Sequence, residues 1–214
     1  MHKIATLLMV VLLVVFPAMT TGRIPGAAQK GDAHMTPEER AKVIKLLDDS
    51  EKEYLDAISN LTEAQWTYKP SLFKWSVGEV AEHIMLTEPA LFSFLQRALA
   101  STPDPDWESK TAKKDEFLER VLPNRTGRAQ APREIQPTGK LSRDEVIRRY
   151  KEVRARTRDF AEHTDLPLKA YESKHPFPAF NILNAYDWLL YIPLHNIRHN
   201  KQIAEVKTSP GYPK

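Results

Sequence analysis

Three times along the chain a hydroxyl residue is followed three positions later by glutamate, each time just ahead of apolar residues at helical spacing: Thr36/Glu39, Ser76/Glu79 and Ser142/Glu145. In this capping-box pattern the hydroxyl accepts from a free amide of the first helical turn and the glutamate reaches back to the cap amide. Trp75 before the second box and Val80 behind it are placed as a hydrophobic staple, as are Leu141 and Val146 at the third. A chain punctuated in this way is bound to build helices. No stretch alternates convincingly like a strand.

The first helix is expected from Pro37, a proline at the first helical position, to about Asn60, with Val43, Leu46, Leu47, Tyr54, Leu55 and Ile58 near helical spacing. The second is expected over Val77–Leu99 and the third from Ser142 to about His163. The fourth is expected over roughly Ile182–Val206, after a proline-rich link from Leu166 to Phe180. Between helices two and three, Ser101 to Lys140 carries much of the proline and one short helical piece, Lys113–Val121. Connections this long either cross a bundle end or cover a site. Four amphipathic helices with one long crossover predict an all-α four-helix bundle. Pro193 lies inside the fourth helix, where it removes an amide donor, so a kink is expected two residues before His195.

The start of the chain has a different character. Met1-His2-Lys3 leads into an unbroken apolar run, Ile4–Phe16, and then into the small and breaker residues Pro17 to Gly22. This predicts a secretory signal peptide over 1–22 and a secreted or periplasmic protein. Thirteen apolar residues cover about 20 Å as a helix, short of a roughly 30 Å hydrocarbon core, so no stable membrane span is expected after cleavage. Residues 23–35 read as a disordered tether, 36–207 as one domain and 208–214 as a tail.

Composition narrows the chemistry. The 214 residues contain no cysteine, which removes disulfides, thiolate ligands and cysteine nucleophiles. A net charge of +3 is too small a surplus to argue for nucleic acid, and the basic run around Arg148, Arg149, Arg154 and Arg158 is interspersed with acids like a solvated helix face.

A transition-metal site must therefore use histidines and carboxylates. His195 and His199 are four residues apart, on one helix face within reach of one ion; surface pairs at this spacing also arise by chance. His83, beside Val80 and Ile84 on the second helix, reads equally well as a core histidine satisfied by a hydrogen bond. His163 and His175, at a helix end and in a proline-rich loop, are expected to face solvent or a helix dipole, and His34 lies in the tether.

The segments Lys69-Pro70, Trp75-Ser76-Val77-Gly78-Glu79-Val80-Ala81-Glu82-His83 and His195-Asn196-Ile197-Arg198-His199-Asn200-Lys201-Gln202-Ile203 resemble the signatures of the DinB/YfiT-like superfamily. Ala131-Pro132-Arg133 and Pro137-Thr138-Gly139-Lys140 look like its linker. The resemblance spans about Thr36 to Val206. It implies a bundle whose second and fourth helices bring His83, His195 and His199 to one divalent ion, usually zinc, nickel, cobalt or manganese. Such proteins often pair, which makes a homodimer an expectation.

Three neutral nitrogens leave a divalent ion with its full charge and an open position, where a water can be acidified to about pKa 7. The expected activity is therefore metal-dependent hydrolysis of an unknown small-molecule substrate. Glu79, one turn before His83, and Tyr191, one turn before His195, are candidate catalytic groups, though a cap carboxylate and a core aromatic explain them as well. Two other classes stay open. One is a thiol S-transferase of the kind the family contains, against which export argues because its small thiols are kept inside cells; the other is a non-catalytic metal-binding or stress-related protein.

Overall fold

A computed structural model describes residues 31–127 and 130–214; the expected leader and the tether up to residue 30 lie outside the described residues. Helices α1 (Pro37–Ile58), α2 (Glu63–Thr67), α3 (Val77–Leu99), α4 (Trp107–Thr111), α5 (Lys114–Val121), α6 (Arg143–His163) and α7 (Ala185–Lys207) follow in chain order. Strands β1 (Glu172–Lys174) and β2 (Ile182–Asn184) lie between the last two. The four long helices α1, α3, α6 and α7 form the expected bundle.

Cross-links between side chains and backbone fix the helix directions. Asn200 donates to the Ser50 carbonyl and Lys207 to the Ala57 carbonyl, so α1 and α7 run the same way. Arg154 donates to the Leu47 carbonyl and Arg143 to the Leu61 carbonyl, which sets α6 antiparallel to them, and the pairs Glu88–Arg154 and Phe92–Phe160 run α3 the same way as α6. The connection from α3 to α6 is the long one, and α7 packs most extensively against α3 and α1.

Both halves of the capping box form at Thr36 and Ser76. At Ser142 only the hydroxyl half forms, because Arg148 and Arg149 hold the Glu145 carboxylate away from the cap. Their guanidiniums push its pKa down to about 2. Two further boxes appear where none was expected: Thr62 with Gln65, which starts α2, and Asn184 with Asp187, which starts α7. The last helix therefore begins at Ala185, and Ile182–Asn184 pair antiparallel with Glu172–Lys174, Ser173 opposite Leu183. The expectation of no strand fails here because three residues are too few for an alternating pattern to register. Helix α7 runs unbroken through Pro193, and Pro89 sits likewise inside α3.

The core divides into two clusters along the bundle. Leu47, Leu95, Leu118, Trp188 and Leu189 belong to one, and Tyr54, Val80, Ile84, Tyr150 and Ile203 to the other. Between them every long helix contributes buried polar groups. Arg154 of α6 grips Glu88 of α3 at 2.9 Å with both residues almost fully buried, and also donates to Ser50 of α1 and Asn196 of α7. Tyr150 donates to the same Asn196 oxygen. Charges so deep are tolerated only when paired and hydrogen-bonded, and here both conditions are met.

Both ends of the domain are docked further than expected. Lys169 N–H donates to the Ala33 carbonyl and Met35 joins the core, so the tether is already fixed at 31–35. The tail is held by Tyr68 on the Pro210 carbonyl and by Gln65 on that of Pro213.

Candidate metal centre

His83 lies in the second turn of α3, and His195 and His199 lie one turn apart on the antiparallel α7. Antiparallel packing of these two helices brings residues distant in sequence to the same level. The ring centroids stand 4.6 Å apart for His83–His199, 5.3 Å for His83–His195 and 4.4 Å for His195–His199. One ligand nitrogen from each lies within 4.8 Å of the others, and among the described residues no further group of three or more histidines or carboxylates converges in this way.

Hydrogen bonds to the far nitrogens orient the rings. His83 Nδ1–H donates to the Ile135 carbonyl at 2.8 Å. A carbonyl only accepts, so His83 presents Nε2 as its unprotonated nitrogen. His199 Nδ1 faces Gln202 Oε1 at 2.8 Å, and the same oxygen accepts from Arg125 at 3.1 Å. A guanidinium is purely a donor, so the atom between them is an oxygen and His199 Nδ1 carries the hydrogen. Its Nε2 faces His195 Nε2 at 3.1 Å. Metal bonds of about 2.0–2.1 Å in a tetrahedral array place ligand nitrogens about 3.3 Å apart, so this pair is already spaced for a shared ion.

Burial lowers the pKa of all three imidazoles, and for His195 and His199 the neighbouring rings push in the same direction. They are therefore neutral at physiological pH, the protonation state of a ligand. His83 and His199 are buried, and His195 keeps partial exposure as a residue. Three neutral nitrogens in this spacing fit one divalent cation with a position left open.

The other candidates fall differently. Glu79 is committed elsewhere: one carboxylate oxygen accepts from the Ser76 amide at 2.8 Å and the other pairs with Lys69 at 2.7 Å. Tyr191 lies alongside His195, ring centroids 6.2 Å apart and 24° from parallel, in the core cluster of α7. His175 departs from the expected solvent-facing role: it is buried and stacks on Trp188 at 5.0 Å and Tyr191 at 5.5 Å. Desolvation drives its pKa down to about 4. His163 is exposed at the end of α6, as expected.

Ile135, Arg125 and Glu82 had no assigned role in the sequence reading. Glu82, buried beside His83, accepts from the amide and hydroxyl of Thr138 and from the amide of Gly139. Gly139 adopts φ 67°, a conformation that favours glycine. The crossover is thus strapped onto α3 next to the site, and this strap carries the Ile135 carbonyl.

The family model of the DinB superfamily matches residues 46–203, three quarters of the chain and both histidine-bearing helices. The chain belongs to the DinB superfamily. It is 23% identical over 164 residues to the uncharacterized protein YuaE of Bacillus subtilis (strain 168), covering 77% of this chain and 96% of that one. It is also similar in structure to YfiT from Bacillus subtilis, described as a probable metal-dependent hydrolase with an unusual four-helix bundle topology. That match has TM-score 0.54 and 16% identity, over 86% of this chain and 95% of YfiT. At that identity the likeness supports the DinB-type fold.

Proposed function

We propose that this DinB-superfamily protein is an exported metal-dependent hydrolase that holds one divalent cation with His83, His195 and His199. The observation that carries the reading is the convergence of three neutral imidazoles from two antiparallel helices, with the far nitrogens of His83 and His199 occupied by acceptors. A cation held there supplies Lewis acidity and acidifies a water ligand toward neutral pH. The description of YfiT as a probable metal-dependent hydrolase points the same way. Export rests on the charged start, the apolar run Ile4–Phe16 and the small residues after it. Among the described residues no helix is long and apolar enough to cross a membrane.

The chain's own residues divide the work of such a site. Ile135 and Gln202 hold two rings in the ligating tautomer, and the strap at Glu82 keeps the Ile135 carbonyl in place. Tyr191 walls the cluster beside His195. Glu79, held by Ser76 and Lys69, offers no free carboxylate as a base. That observation favours a second reading, a protein that binds the metal without catalysis.

Elemental analysis of untagged protein tests the site: wild type is expected to hold about one divalent ion per chain, and His83→Ala and His199→Ala to lose it. Full metal content in both variants would refute the three-histidine assignment. Metal-loaded protein is then assayed on ester, amide and phosphate substrates, where turnover lost in His83→Ala supports hydrolysis and silence on all three leaves the binding-only reading.

A further inference from the structure

The turn that leads into α3 runs against ordinary turn chemistry. The Lys74 amide donates to the Ser71 carbonyl at 3.1 Å, which closes a turn with Leu72 and Phe73 at its two central positions. Glycine, proline, asparagine and aspartate usually fill such places. Here the side chains project almost free of the protein, Leu72 at 89% exposure and Phe73 at 97%, while the other large apolar side chains exposed among the described residues, Leu166 and Phe177, reach only 44% and 37%. Single exposed apolar residues are common, but an adjacent pair held at the tip of a turn is not.

The surroundings of the pair are basic and aromatic. From Ala64 to Gly78 the chain carries Lys69 and Lys74 and no acid. The first acid after the turn, Glu79, is taken by Lys69 at 2.7 Å and by the Ser76 amide. Gly139 packs against the same Glu79, which brings Lys140 to this end of the bundle. Tyr68 and Trp75 bracket the turn, half-buried against the core, and Tyr212 meets Tyr68 edge-on, which holds the tail beside them two residues short of Lys214.

These features select an occupant. A protein partner covers an apolar face, yet Lys69, Ser71 and Lys74 stand exposed beside the pair. A bilayer requires no such face. Apolar tips enter its acyl boundary by about 5–10 Å, while aromatic rings and ammonium groups stay at headgroup level. Anionic headgroups attract each lysine in addition.

We propose that the Ser71–Lys74 turn docks this protein peripherally on an anionic phospholipid bilayer, with Leu72 and Phe73 inserted and Lys74 and Lys140 at the headgroup phosphates. His83 lies seven residues beyond the Ser76 cap, about 10 Å along α3, so docking holds the candidate metal centre close to the interface. The docking does not depend on what the imidazoles bind.

Vesicle co-sedimentation of the full chain tests this, with equal parts of phosphatidylglycerol and phosphatidylcholine against phosphatidylcholine alone. Every protein in the series carries Leu8→Lys and Leu12→Lys, which break the apolar run Ile4–Phe16 so that the start of the chain does not itself enter the lipid. Saturable binding to the anionic vesicles is expected, weakened by salt and about fivefold or more stronger than binding to phosphatidylcholine. Leu72→Ser and Phe73→Ser are each expected to weaken partitioning about tenfold, the loss of one buried apolar side chain, and to keep the Tm. Lys74→Gln is expected to weaken it about fivefold.

The chain has no cysteine, so a nitrobenzoxadiazole label on Ser71→Cys reports the turn alone. Its emission is expected to shift to the blue on anionic vesicles. The same label on Ser109→Cys, exposed on α4 at the other end of the bundle, is expected to stay unchanged. Absence of sedimentation with anionic vesicles, equal partitioning of the serine variants and their parent, equal binding to both lipid mixtures, or a blue shift at Ser109→Cys alone would each overturn the proposal. A dimer in sedimentation velocity that the serine variants dissociate would do so too, because the turn then meets a second copy of the chain.

Discussion

At the residue scale, the cluster depends on which nitrogen of each ring carries hydrogen. For His199 that is decided by Gln202, whose oxygen is held in place by Arg125. Gln202→Leu is expected to leave the fold intact and to weaken metal binding roughly 10- to 100-fold, the usual cost of losing such a support. Gln202→Glu, which keeps an acceptor, should retain the affinity, and a competition titration against a chelator of known affinity distinguishes the two. Asp187 gives a second residue-scale test. Burial raises its carboxyl pKa to about 8, with Asp115 and Glu172 adding to the shift and the Asn184 amide and Lys114 opposing it. The folded state then keeps a proton that the unfolded chain releases near pH 4, so stability falls as pH rises from about 4 to 8, by at most about 1.4 kcal/mol per pH unit. Asp187→Asn, which keeps an acceptor for the cap, should flatten this slope in denaturant titrations run across that range. An unchanged slope would mean that the carboxyl ionises normally in the folded protein.

At the scale of elements, the long helices were legible because their start signals are local: Thr36, Ser76 and Ser142 lie at the observed N-caps of α1, α3 and α6. The starts at Thr62 and Asn184 use the same chemistry, with Gln65 and Asp187 in the glutamate's place, and are readable in hindsight. What binds helix to helix was not legible. Arg154 looked like one more arginine on a solvated face, yet it is the most connected side chain of the interior, because its partners Glu88, Ser50 and Asn196 come from three other helices. Sequence spacing reports the face of one helix and carries no information about which helix that face meets. Leaving either charge alone in the interior should cost about 3–5 kcal/mol, so Glu88→Leu and Arg154→Leu are each expected to lower the unfolding free energy by that order. The double variant should be less damaging than the sum of the two, since it removes both buried charges together. Urea unfolding of the three variants and wild type closes the cycle; additive losses would show that the two charges are not coupled.

At the scale of the whole molecule, the candidate centre joins three parts of the chain: α3 supplies His83, α7 supplies His195 and His199, and the crossover supplies the Ile135 carbonyl. The spacing of His195 and His199 is local, while His83 could be joined to them only through the resemblance to DinB-like signatures. The crossover's part was not legible, since a backbone carbonyl has no residue signature and Ile135 lies 52 positions from His83. Glu82 is what makes the arrangement hold. Its two oxygens take three donors from Thr138 and Gly139, a few residues beyond Ile135, and so tie the crossover to the same turn of α3 that carries His83. Glu82→Ala should therefore act on the strap before it acts on the bundle. Amide hydrogen exchange is expected to quicken over residues 131–140 while α1 and α7 keep their protection. Metal dissociation should quicken in parallel, because His83 then loses the carbonyl that orients it. Stopped-flow metal release into excess chelator reads the second effect. If exchange accelerates in the crossover and release does not, His83 is oriented by its packing against Trp75, 4.9 Å away between ring centroids, and the crossover only covers the site.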